Sequence, residues 1–213
     1  LPWLGTFHSV SAKILRRHAE SVGLNSRFTI IDQEDQLRLI KNICKAEKID
    51  VKKISPQFIL SFINQWKNKG LLPRDVIAKK GIPLEKAILN VYKFYQERLG
   101  VLNSCDFGDL ILLCVYMFEN NPDILDLYLN NFKYILVDEY QDSNFIQSKW
   151  LKLLAKKRNN ICCVGDDDQS IYSWRGAEIR NFLDFSKIYK NTKIIKLEQN
   201  YRSTQNILSA ASG

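Results

Sequence analysis

The sequence predicts an α/β protein, a parallel sheet domain into which an all-helical subdomain is inserted. Three observations predict it. Residues 9–99 are almost wholly helical in pattern, with start and stop signals at the joints. After Cys105 the texture changes to short apolar strands, each followed by a helical stretch, the alternation of a parallel sheet. No Pro/Gly/Ser-rich linker joins the two textures, and "WLGTF" ahead of the helical run itself reads as a strand. The helical run is therefore read as an insertion. The α/β part takes residues 1–24 and 103–213, and the insert takes residues 25–102.

The elements follow in order. "HSVSAKILRRHAESV" is amphipathic and stops at Gly23; "FTII" is a short strand; Asp32 caps "DQEDQLRLIKNICKAEK". Ser55-Pro56 opens "SPQFILSFINQWKNK", which stops at Gly70, and "PLEKAILNVYKFYQERL" ends at Gly100. Beyond Cys105 the strands are "KYILVDE", "NICCVGD" and "TKIIKLE", with helices expected near 143–157, 178–187 and 203–211. Internal repeats and low-complexity segments are absent from the sequence.

Composition narrows the function classes. With 46% apolar residues in 213 the chain can bury a proper core. The longest apolar run, "ILLCVYMF", is far shorter than the roughly 18 residues of a membrane span, and no basic-then-apolar signal segment opens the chain. Five cysteines without a CxxC pair, two of them in the apolar run "NICCVG" and read as core, point to a reducing, cytoplasmic setting. The chain begins mid-pattern without Met and is expected to be cut from a longer protein. Its richness in Lys, Ile and Asn points to an AT-rich bacterial genome. The net charge is +8, of which residues 25–102 alone carry +7, a concentration that suits a polyanionic partner.

Chemistry concentrates at the strand ends. "YILVDEYQDSN" puts Asp138 and Glu139 at the C-terminal end of an apolar strand, where open α/β sheets bind ligands. Paired acids there can hold Mg²⁺ and polarise a water, although a plain turn after a strand also favours Asp. The next strand ends in "GDDDQ", so that Asp138, Glu139, Asp166 and Gln169 are expected in one crevice, with a metal-nucleotide ligand offsetting the burial of so many carboxylates. Tyr172 and Trp174 follow, either as a local hydrophobic clasp or as platforms for unpaired bases, and Arg175 beside them can serve a phosphate or a stacked ring. In "LEQNYRST", Arg202 is either an ion-pair partner of one of the acids or a phosphoryl-contacting arginine; Tyr201 either stacks on a purine or packs.

"TFHS", "DFGDL", "VDEYQD", "GDDDQSIYSWRGA" and "NYRST" occur in the order in which the superfamily 1 DNA helicases of the UvrD/Rep/PcrA type carry them, and the chain resembles that family over both α/β parts. The resemblance implies an incomplete RecA-like ATPase domain with an inserted helical, basic, DNA-binding subdomain. It implies ATP and Mg²⁺ as cofactors, with Asp138 on the metal, Glu139 activating the hydrolytic water, Gln169 sensing and Arg202 contacting the γ-phosphate, and Tyr201 on the adenine. Phe107, Tyr172 and Trp174 are the implied base pockets, with His8 and Arg175 linking the DNA track to the ATP site. The implied partners are single-stranded DNA and single-strand/duplex junctions, with 3′-to-5′ stepping in DNA repair or replication, and no membrane.

Two departures stand out. Gly108 occupies a position where the family usually has a second Asp, which bears on the local turn more than on the chemistry. The sequence also has no GxxxxGK[ST] phosphate loop, so the chain alone is expected to be inactive while the parent is an ATP-dependent helicase. Two other readings remain: a module that grips DNA without turnover, and the helicase subunit of a helicase-nuclease.

Overall fold

A computed structural model describes residues 3–49, 51, 53–77, 83–171 and 176–212. The first helix, α1 (Phe7–Arg17), begins where Thr6 accepts the Ser9 amide at its side-chain oxygen. The strand expected at "WLGTF" is not there: residues 3–6 are irregular. Trp3 finds burial without a ladder, packing edge-on against Tyr128 and Phe132 at 5.8 and 5.3 Å.

Past Gly23, which is left-handed at φ 77°, the chain forms the short strand β1 (Thr29–Ile30). It then runs through three helices, α2 (Gln33–Ala46), α3 (Pro56–Asn68) and α4 (Pro83–Val101). The Asp32 and Ser55 side chains cap the first two, as their sequence signals predict. The chain returns in β2 (Ser104–Cys105), which pairs in parallel with β1. Entry and exit are tied together, the Asn25 amide donating to Asn103 Oδ1 and Asn103 Nδ2 to Asn25 Oδ1, each at 2.8 Å.

The buried apolar residues form two clusters. One is built from α2, α3 and α4, with Ile40, Ile63, Tyr92 and Tyr95 at its centre. The other gathers α1 with α5 (Phe107–Asn120), α6 (Pro122–Asn131) and α7 (Phe145–Ala155). Helix α5 is its axis, and Trp150 of α7 donates its indole N–H to Cys114 Sγ at 3.3 Å.

On this second cluster lies a two-stranded parallel sheet, β3 (Ile135–Val137) and β4 (Ile161–Cys163), in the register Leu136↔Cys162. Short helices α8 (Ile179–Leu183) and α9 (Phe185–Ile188) follow, and α10 (Gln205–Ser212) closes the chain. The strand expected at "TKIIKLE" does not form. The stretch is irregular, with Ile194, Ile195 and Leu197 exposed, because apolar alternation makes a strand only where a neighbour satisfies its backbone groups. Cys162 is exposed and Cys163 half-buried, against the expectation that both are core. The reason is the pleat: the middle residue of each three-residue strand, Cys162 like its partner Leu136, faces out from the uncovered side. Among the described residues no helix is long and apolar enough to cross a membrane.

Candidate nucleotide and nucleic-acid site

Asp138 and Glu139 leave the end of β3 as the first residues of a tight turn. Backbone bonds lock the turn to β4: the Val164 amide donates to Val137 O at 2.8 Å and the Tyr140 amide to Val164 O at 3.0 Å. Glu139 adopts φ 51°, a left-handed conformation that is uncommon for a residue other than Gly, Asn or Asp and that clusters at functional sites. The Asp138 carboxylate accepts the Glu139 amide at 3.0 Å. Both acids are exposed, so the expected penalty for burying them does not arise; the two side chains face an open cleft.

That cleft, about 450 Å³, is lined by Thr6 and His8 from the start of α1, by β3, and by Asp138, Glu139 and Asp142. Asp142 Oδ1 is buried with no hydrogen-bond partner among the described residues. Burial and the Glu139 charge hold the Asp142 carboxyl above its ordinary range. Asp138 and Glu139 offer exposed carboxylate oxygens, the ligand type of a hard divalent cation that keeps waters and takes further oxygens from phosphate. Among the described residues no group of three or more His, Cys, Asp or Glu is placed to hold a metal ion.

Gln141 was not singled out from the sequence, yet it organises the site. It is buried, donates from Nε2 to Glu139 Oε2 at 2.7 Å, and accepts the Asp166 amide at Oε1 at 3.2 Å. Asp166 in turn accepts from Gln169 Nε2. A hydrogen-bonded line thus runs Glu139, Gln141, Asp166, Gln169, joining the turns after β3 and β4. Gly165 makes it possible, since a Cβ there meets Gln141 Oε1 and, at 2.9 Å, the Phe182 ring. Gln169 itself is exposed and does not line the cleft.

His8 also meets an exposed aromatic ring. The His8 and Phe107 rings are 5.1 Å apart, and Phe107, first residue of α5, is 57% exposed. Burial holds the His8 pKa below its ordinary value, which favours the neutral ring. Asp106 and Asp109 close a capping box around Phe107 and Gly108, so glycine at 108 leaves the turn intact.

Beneath that turn is a second feature absent from the sequence reading. Lys67 of α3 is fully buried with its Nζ 2.7 Å from both Asp106 Oδ2 and Asp109 Oδ1. The Tyr95 hydroxyl donates to Asp106 and Gln96 Nε2 to Asp109, each at 2.9 Å. Burial opposes ionisation of Asp106, but the Lys67 charge and its hydrogen bonds outweigh it and hold the carboxyl below its usual range. Burial and the Asp106 charge push Asp109 the other way, up to about 6. One cation between two carboxylates stabilises one of them fully and leaves the other with the proton affinity.

Tyr201 and Arg202 are not brought to the cleft. Both are exposed in the irregular stretch before α10, where Asn200 Oδ1 accepts the Arg202 amide at 2.9 Å. Tyr172, Trp174 and Arg175 lie outside the described residues.

The acids at the end of one strand thus face a cleft beside an aromatic pair. The model of the UvrD/REP helicase N-terminal domain matches residues 1–190, and the chain belongs to that family. It is similar to the "Probable DNA helicase II homolog" of Rickettsia felis, 52% identical over 98% of this chain and 32% of the relative. It is also similar to the "DNA helicase II" of Rickettsia typhi, 52% identical over 98% and 32%. The "ATP-dependent DNA helicase PcrA" of Staphylococcus epidermidis is 47% identical over 99% of this chain and 29% of the relative. The chain thus spans about a third of the length of the curated relatives it matches.

Proposed function

We propose that the chain is the acid-bearing, DNA-contacting part of an ATP-driven DNA helicase that steps 3′ to 5′ on single-stranded DNA and opens duplex at a junction. One observation carries this reading: His8 lines the cleft with Asp138 and Glu139 and also packs against the exposed Phe107 ring. A strand stacked on Phe107 and a nucleotide at the acids then share one side chain.

In this reading Asp138 holds Mg²⁺, and Glu139 takes the proton of the attacking water. Bound there, Mg²⁺ neutralises charge on the transferred phosphoryl group. Gln141 fixes the Glu139 carboxylate, and its bond to the Asp166 amide carries a change at Glu139 to the loop holding Gln169, the γ-phosphate sensor. Arg202 contacts the γ-phosphate and Tyr201 the adenine; both start from exposed positions and reach a nucleotide only if the stretch before α10 closes over it. Phe107, Tyr172 and Trp174 take successive bases, and Arg175 joins His8 in linking the two sites. Base-aromatic stacking contributes on the order of 1–3 kcal/mol per base without regard to sequence.

Residues 25–102 are the inserted subdomain of a RecA-like domain in this reading, supported by their separate apolar cluster and by the paired Asn25 and Asn103 at entry and exit. Their +7 charge suits duplex phosphates. The setting is cytoplasmic DNA repair or replication.

The test is strand separation by the full-length gene product. A duplex with a 3′ single-stranded tail is opened when ATP and Mg²⁺ are present, and a duplex with only a 5′ tail is not. Equal opening of both removes the polarity; opening of neither removes the helicase.

A further inference from the structure

Lys67 is the charged residue whose placement most needs a reason. It sits against the first turn of α5, the positive end of a helix dipole, where a cation is disfavoured. It is also withdrawn from water, and buried ion pairs are often no more stabilising than apolar side chains of the same volume. What the arrangement supplies is position. Lys67 comes from α3, Tyr95 and Gln96 from α4, and all three converge on Asp106 and Asp109 of α5.

Phe107 lies between those two aspartates in sequence and is more than half exposed while they are buried. The stem of Lys67 runs along the same turn so closely that a Cβ on Gly108 lies 3.0 Å from Lys67 Cδ and 3.3 Å from Lys67 Cβ. The backbone that carries Phe107 is therefore held on both flanks by carboxylates bonded to one ammonium group, and from beneath by the lysine stem. The turn that carries Phe107 thus takes its buried partners from α3 and α4.

We infer that Lys67 is a positioning residue for single-stranded DNA: it sets the first turn of α5 so that Phe107 presents its ring beside His8, and it ties that ring to α3 and α4 of the basic segment 25–102. The inference rests on the proposed role of Phe107 as a base contact. It adds that the helices meant for duplex and the ring meant for the single strand move as one body.

A double-mutant cycle tests it. Affinity of the full-length gene product for a fluorescent oligothymidylate is measured for the parent, Lys67→Met, Phe107→Ala and the pair together. Phe107→Ala is expected to weaken binding by about 10-fold, the loss of one stacked base. Lys67→Met is expected to weaken it several-fold in the parent and not at all in the Phe107→Ala background, because it acts through that ring. Since Lys67→Met leaves two buried carboxylates uncompensated, Tyr95→Phe is run through the same cycle; it removes only one hydrogen bond to Asp106 and is expected to show a smaller loss with the same non-additivity. Equal losses in both backgrounds overturn the positioning role alone. Parental affinity for Phe107→Ala overturns the base contact, and the inference with it.

Discussion

Glu139→Gln abolishes ATP turnover in the full-length gene product while leaving ATP binding in place. The substitution keeps the size of the side chain and a polar partner for Gln141, whose Nε2 lies 2.7 Å from Glu139 Oε2. It removes the negative charge and with it the capacity to take a proton. Loss of a positioned general base lowers turnover by roughly 10²–10⁴-fold. The left-handed backbone at φ 51° is set by the turn, which the β3 to β4 bonds hold, so the carboxamide stays where the carboxylate was. Steady-state hydrolysis and fluorescent-nucleotide binding measured together check it. Parental turnover by the variant means that another group activates the water.

The buried triad gives the second large effect, a dependence of stability on pH. Asp109 has its folded pKa raised from 3.8 to about 6. A raised carboxylate contributes stability that is fully present below the unfolded pKa and is lost as pH rises through the folded one. The loss therefore falls between about pH 4 and pH 6, amounting to roughly 2–3 kcal/mol. Asp106, shifted down, acts with the opposite sign and only below 3.8, where its stabilisation is lost as pH falls further. Urea unfolding of the parent and of Asp109→Asn across pH 4–7 separates the two. The difference between the curves is expected to change by that amount and to level off above about pH 7. Parallel curves mean that Asp109 does not titrate in this window.

What was legible in the sequence was what is locally determined. Asp32 and Ser55 announce their helices because a cap needs only residues three positions away. The place of Asp138 and Glu139 was legible because an apolar run ending in acids marks a strand and its C-terminal end. "WLGTF" and "TKIIKLE" misled because a strand is a relation between segments, and no described neighbour pairs with either. Gln141 escaped notice because its role exists only once the turn after β3 meets the turn after β4. Lys67 escaped because a lysine in a segment of net charge +7 reads as surface. Its spacing held the signal: it lies four residues beyond Ile63 and eight beyond Ile59, on the stripe that α3 buries.

In the proposed reading the acids and the aromatic pair are parts of one site rather than two. His8 lines the cleft with the acids and packs against Phe107, and Gln141 joins Glu139 to the following loop. Occupancy of the ring surface by DNA is therefore expected to change the rate at the acids.

The most direct measurement is ATP hydrolysis with and without single-stranded DNA, by the full-length gene product and by this 213-residue chain side by side. The predicted result is turnover by the full-length product that single-stranded DNA accelerates, and none by the chain, whose sequence has no phosphate loop. Turnover by the full-length product that ignores single-stranded DNA contradicts the coupling of the two surfaces, and turnover by the chain alone means that the phosphates are held by residues other than those assigned.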